Sequence, residues 1–211
     1  MDLQKSRTYL LEHLNWEITD KRVIDAVKLV PREMFVLPEY HAVAYDDRPL
    51  SIGFGQTISQ PFIVCMMLQA LELKGNEKVL EVGTGSGYVA ALLSKLAKRV
   101  ITVECINELV KSSSSLLTKL DYQNVEVHLA GDILGWPDEG PYDAIIVSAG
   151  APSVPRSLSG QLSWGGRLVI PVGSRWEQRL LKMMRNIDGE TTEDLGGCFF
   201  VPLIGKEAWD K

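Results

Sequence analysis

Cysteine is scarce in this chain of 211 residues: Cys65, Cys105 and Cys198 are far apart and form no C-x-x-C pair. An odd, scattered set argues against a disulfide framework or a zinc site, so no metal is expected, and a reducing compartment, the cytoplasm, fits best. Cys65 and Cys198 lie in apolar runs and read as small buried hydrophobes. Histidine is equally rare, and His13, His41 and His128 all fall outside the motifs described below. Basic blocks are missing: the net charge is −5, which argues against a broad nucleic-acid footprint. No apolar run is long enough to cross a bilayer, and "MDLQKSRTYL" carries no apolar stretch with a cleavage site, so no membrane partner is expected. There is no internal repeat; the run "SSSS" at 112–115 sits in a helical pattern and reads as a solvated face.

What is present has an ordinary globular make-up, and the length predicts one domain, a monomer by default. The spacing of apolar residues predicts amphipathic helices over about 3–14 and 20–30, the second capped by Asp20 and ended by Pro31. Residues 31–59 read as loop-rich, with Pro38, Pro49, Gly53 and Gly55. A helix then runs from Pro61 to Gly75, and a regular alternation follows. "KVLEVG", "RVITVE", "VEVHLAG", "YDAIIVSA" and "GRLVIPVG" read as strands. "GYVAALLSKLA", "INELVKSSSSLLTKL" and "PRSLSGQL" read as helices. "RLLKMMRN" and "GCFFVPLIG" read as closing strands, the first with a helical alternative. Largely apolar strands alternating with helices predict an α/β fold, a mostly parallel, doubly wound sheet covered on both faces behind an N-terminal helical extension. The parts are 1–60 (helices and loop), 61–173 (core) and 174–211 (C-terminal strands).

In "VLEVGTGSGYVAALL" a buried strand runs into Gly83, Gly85 and Gly87 and then into a helix. Such glycines let the backbone turn sharply and let a ligand approach the peptide planes. The spacing is G-x-G-x-G; where a dinucleotide fingerprint has its third glycine, this chain has Tyr88. A carboxylate at Glu81 would repel a pyrophosphate and suit an ammonium or sulfonium ligand, which favours S-adenosyl-L-methionine over NAD. Glu104, at the end of the next strand, stands where an acid commonly grips ribose hydroxyls. Asp132 ends the third strand, placed to accept from an adenine amino group with Ile133 against the ring. Each acid has a plainer reading as an exposed loop acid or helix cap; three in series favour a cofactor laid across the strand ends.

The segments "VPREMFV", "AYDDRPLSIGFGQTIS", "VLEVGTGSGY", "YDAIIVSAGAP", "GGRLVIPVG" and "FVPLIG" resemble, in the same order, those of the protein-L-isoaspartate O-methyltransferases. The resemblance covers about residues 30–205, and "RPLSIGFGQTIS" and "FVPLIG" are its restricted parts. It implies a cytosolic repair enzyme of the Rossmann-like methyltransferase fold. Such an enzyme methylates the α-carboxyl of L-isoaspartyl residues, which then reclose to succinimide and regain a route to aspartate. It implies cofactor contacts from Ile58, Glu81, Gly83, Thr84, Gly85, Ser86, Gly87, Glu104, Cys105, Asp132, Ile133 and Ser148. It makes Ser59 the active-site serine, with Gln56, Thr57, Val201, Pro202 and Leu203 on the substrate. The chain departs from the common pattern at Phe62, where histidine is frequent, and at Ile133, Ser51 and Ser148.

An α-carboxylate is already ionised at neutral pH, so its methylation needs no general base, in keeping with the scarcity of histidine. It needs alignment and a nucleophile stripped of water but not gripped too tightly. "GFGQTIS" supplies glycines for a fold-back, Ile58 as a shield and the Ser59 hydroxyl as a donor. Ser59 two residues before the helix has an equally good reading as a cap. Asp46, Asp47 and Arg48 can tie the loop by ion pairs, and "FVPLIG" can offer a peptide an extended edge, or be a plain core strand. A methyltransferase for another small carboxylate, an NAD-linked oxidoreductase and a non-catalytic S-adenosylmethionine-binding module remain the alternatives.

Overall fold

The computed structural model describes residues 2–210. A seven-stranded sheet runs β5-β4-β3-β6-β7-β8-β9. Its centre is β3 (Lys78–Val82), parallel to β4 (Arg99–Glu104) on one side and β6 (Tyr142–Val147) on the other. β5 (Val125–Leu129) and β7 (Leu162–Gly173) extend the parallel part. β8 (Gln178–Asn186) and β9 (Gly189–Cys198) close it antiparallel.

Alternate residues of the central strands enter different cores, as the two-residue strand period requires. Val79, Val100, Ala144, Ile146 and Val169 pack with the helices α1 (Leu3–Glu17), α2 (Lys21–Leu29), α3 (Pro61–Ala70) and α4 (Tyr88–Ser94). Leu80, Ile101, Ile145, Leu168 and Ile170 pack on the other face. Both faces are covered, which is why these strands read as continuous apolar runs. Asp20 caps α2 through Arg22 N–H, as its position predicts. Among the described residues no helix is long and apolar enough to cross a membrane.

Several local expectations fail for identifiable reasons. Segment 31–59 is not plain loop. It holds 3₁₀ turns at Arg32–Phe35 and Pro38–Val43, then a hairpin of β1 (Leu50–Gly53) and β2 (Gln56–Ile58). Strands of four and three residues are too short to show a period. α3 ends at Ala70, not at Gly75, and Leu73 after it is buried. "PRSLSGQL" forms the short helix expected of it, the one-turn α6 (Arg156–Ser159). In α5 (Asn107–Lys119) the serine run is not wholly solvated: Ser113 is 1% exposed, and its hydroxyl donates to the Leu109 carbonyl at 2.7 Å. "RLLKMMR" is strand, and β9 covers "GETTEDLGGC", whose polar residues carry no apolar alternation because their side chains are mostly exposed. The regular strand stops at Cys198; "FVPLIG" beyond it makes isolated bridges of Pro202 to Gly150 and Ile204 to Trp209, and the buried Gln178 side chain bonds both backbone groups of Phe200.

Candidate active site

The chain winds outward from β3 through β4 to β5, then returns to the other side of β3 as β6 and β7. Such a reversal opens a crevice at the carboxyl ends of the strands. A cavity of about 430 Å³ lies there. Gln56, Thr57, Ile58 and Ser59 of the hairpin line it, as do Val201, Pro202 and Leu203. Glu81, Gly83, Thr84, Gly85, Ser86, Glu104, Cys105, Asp132, Ile133 and Ser148 complete the expected part of the lining. Of the residues expected at the site, Gly87 alone is absent from the lining. It is the N-cap of α4 with φ 87°, and a Cβ there would lie 3.2 Å from Leu117 Cδ1, so its role is to let α5 pack against the loop.

The glycine loop is built onto β4. Gly83 and Thr84 N–H both donate to the Val103 carbonyl, at 2.8 and 3.2 Å. Glu104 holds the loop from the side, its carboxylate accepting from Gly85 N–H at 2.9 Å and from Ile106 N–H at 3.0 Å. Glu104 does not cap α5, whose N-cap Ile106 has no side-chain cap bond; the carboxylate braces the loop instead. This does not use up the residue: a carboxylate has about four acceptor sites, and two remain for hydroxyls in the cavity.

Glu81 is completely buried. One carboxyl oxygen takes a hydrogen bond from Thr102 Oγ1 at 2.6 Å, and Thr84 Oγ1 lies 2.6 Å from Thr102 Oγ1. The other, Oε1, is buried and has no partner among the described residues. Burial, partly offset by the Thr102 bond and reinforced by Glu104, pushes the acid up to about 8. Without a cation nearby Glu81 is therefore largely neutral at pH 7, and a cationic group in the cavity would draw its proton off. The orphaned Oε1 and the open glycine loop fit a ligand carrying an ammonium or sulfonium. Because the folded chain keeps a proton that the unfolded chain has released, this group's contribution to stability is complete below the ordinary carboxylate range. It is lost as pH climbs toward about 8. Thermal melts at pH 5 and pH 8 should show Glu81→Gln flattening that decline by several degrees, at roughly 2–4 °C per kcal/mol for a chain of this size. An unchanged slope would mean the acid is not buried as described.

In the hairpin the fold-back occurs at Gly53, Phe54 and Gly55, with φ of 85°, 55° and 71°. The cap reading of Ser59 is not realised. The N-cap of α3 is Gln60, with no side-chain cap of its own. Asp47 performs that task from a distance, accepting from Phe62 N–H at 2.9 Å and from Gln60 Nε2 at 2.9 Å. Asp47 thus lies outside the expected ion pairing; Arg48 pairs with Asp46 at 3.1 Å on the surface. In the C-terminal segment, Gly150 N–H donates to the Val201 carbonyl and Leu203 N–H to the Gly150 carbonyl, each at 2.8 Å. Pro202 has no N–H, so this stretch offers a peptide fewer main-chain bonds than a regular edge strand.

The sequence model of the family described as protein-L-isoaspartate(D-aspartate) O-methyltransferase matches residues 5–208. The chain belongs to this family. It is 47% identical over 212 residues to protein-L-isoaspartate O-methyltransferase 1 of Syntrophobacter fumaroxidans, covering all of this chain and 99% of that one. It is 52% identical over 197 residues to protein-L-isoaspartate O-methyltransferase 1 of Pelobacter propionicus, covering 91% of each. A candidate protein-L-isoaspartate O-methyltransferase of Plasmodium falciparum, solved in complex with S-adenosyl-L-homocysteine, superposes with a TM-score of 0.80 at 27% identity. That match spans 92% of this chain and 95% of the other. Family membership makes the chain an S-adenosyl-L-methionine-dependent methyltransferase with a Rossmann-like fold.

The sequence alone did not point to several members of the site. Tyr88 lines the cavity and is 2% exposed. Among the described residues Lys206 is the one Lys or Arg on a lining that also holds three acids; its position directly after "FVPLIG" was the available signal. Arg32 and Asp47 act on the site from outside the cavity, and local sequence gives no sign of that.

Proposed function

We propose that this chain transfers a methyl group from S-adenosyl-L-methionine to the free α-carboxyl of L-isoaspartyl residues in damaged proteins and peptides, starting their return to aspartyl through succinimide. The observation that carries the reading is one cavity whose lining brings together the glycine loop, three acids, Ser59 and Val201–Leu203. Bound, S-adenosyl-L-methionine supplies a methyl carbon on a positively charged sulfur. Glu81 and Glu104 hold its cationic and hydroxyl groups, Asp132 and Ile133 its base, and Thr84, Ser86, Cys105 and Ser148 complete that part of the lining. Ile58, 4% exposed, keeps water from the junction of the two halves. Ser59 Oγ donates to the substrate carboxylate and orients it, and Gln56 and Thr57 bind the adjoining peptide. No proton has to move, because the substrate acid is ionised near neutral pH, and no histidine lines the cavity.

The same reading places the work in the cytoplasm, with damaged proteins rather than nucleic acid as partners, on a monomer whose methyltransferase domain spans 1–211. Three carboxylates against one lysine around the cavity suit a sulfonium ligand better than a phosphate backbone. Incubating matched isoaspartyl and aspartyl peptides with labelled cofactor tests the substrate. Label is expected in the isoaspartyl peptide alone; equal labelling, or none, overturns the assignment.

A further inference from the structure

We propose that Arg32 is the positioning residue for Ser59, with Asp47 as the second anchor of the same turn. This rests on reading Ser59 as the residue that faces the substrate carboxylate. Arg32 is completely buried. Its Nε donates to the Ala44 carbonyl at 2.9 Å, and one terminal nitrogen donates to the Ser59 carbonyl at 2.8 Å. The guanidinium lies 4.9 Å from the centroid of the Tyr88 ring. One planar group therefore joins the 31–45 segment, the serine turn and Tyr88, the first residue of α4 and one of the residues that line the cavity.

This placement is expensive for the fold. A buried guanidinium is desolvated, and its other terminal nitrogen, Nη1, is buried with no partner among the described residues. An apolar side chain of similar volume would fill such a space with less penalty. What the arginine adds is direction. It engages the Ser59 carbonyl in a hydrogen bond, which occupies a lone pair that would otherwise repel an anionic substrate and fixes the backbone of a residue that lines the cavity. Asp47 holds the residues that follow, accepting from Phe62 N–H and from the Gln60 side chain. The turn is thus pinned at the Ser59 carbonyl and just after it by residues that are not among those lining the cavity.

Arg32→Lys separates geometry from charge, because an ammonium keeps the charge but loses the planar fork. Turnover of the isoaspartyl peptide by the parent is measured first, so that its absence counts against the substrate reading. Given turnover, the variant is expected to lose roughly tenfold or more in kcat, as a misplaced reactive pair does, with affinity for S-adenosyl-L-homocysteine within about twofold. On a Ser59→Ala background the same change should cost nothing further, the signature of two residues acting as one unit. Unchanged kcat, an equal loss of cofactor affinity, or additive losses would each overturn the proposal. If Arg32→Lys fails to fold, Asp47→Asn carries the test. It keeps an acceptor for Phe62 N–H but loses the charge that binds Gln60, and a kcat loss confined to the parent background is again expected.

Discussion

Replacing Ser59 with alanine is expected to lower kcat on an isoaspartyl peptide by about 10²-fold, the scale on which removal of one preorganised donor acts. Affinity for S-adenosyl-L-homocysteine should stay within about twofold, because uniform binding is untouched when a contact made only with the reacting group is lost. The geometry explains the asymmetry. The Ser59 backbone is held by Arg32 through its carbonyl, and α3 is capped by Asp47, so removing the hydroxyl disturbs neither anchor. Steady-state kinetics combined with calorimetry on the same preparation checks it. Had Ser59 been the cap of α3, the variant would lose melting temperature and leave turnover largely intact. Parallel loss of turnover and cofactor affinity would place the serine on the cofactor instead.

Glu104→Ala should do the reverse. It strands Gly85 N–H and Ile106 N–H, each now held by the carboxylate, and removes the remaining acceptor sites from the cavity. A hydrogen bond to a charged group contributes about 1.5–3 kcal/mol, so losing even one toward the ligand and loosening the loop that cradles it should weaken S-adenosyl-L-homocysteine binding by roughly 10²-fold. Calorimetry reads this directly. Glu104→Gln should be milder, since an amide oxygen still accepts from one of the two N–H groups. If Glu104→Ala bound the product as tightly as the parent, the carboxylate would be a structural brace for the loop and nothing more.

The two substitutions divide the cavity into a half that holds the cofactor and a half that aligns the acid. Neither half can be traded for the other, because they are built differently. The cofactor half hangs from strand ends whose order in the sheet is set by hydrophobic burial. The proposed aligning half is a short hairpin anchored in the core by Leu50, Ile52 and Ile58, followed by a turn held by hydrogen bonds with the distant residues Arg32 and Asp47.

That difference explains what could be read in advance. Glu81, Glu104 and Asp132 follow runs such as "KVLEV" and "RVITVE", whose apolar continuity announces strands buried on both faces, so their arrival at one edge of the sheet follows from the pattern. β1 and β2 gave no such announcement, because seven residues of mixed polarity carry no period. β9 was hidden for a related reason: an outermost strand with mostly exposed side chains needs no apolar alternation. Ser113 shows the opposite error, a polar residue that packs because α5 must come close to Gly87.

By itself the sequence settled the alternating helix–strand order, the glycine loop and the family, since these depend on local periodicity and on motifs contiguous in the chain. Only the tertiary structure decided which residue caps α3, that Arg32 reaches the Ser59 carbonyl across 27 positions, and that Glu81 is enclosed enough to hold its proton. The physical reason is that hydrogen-bond partners and local dielectric depend on which surfaces meet in space, and a linear pattern of residues does not record that.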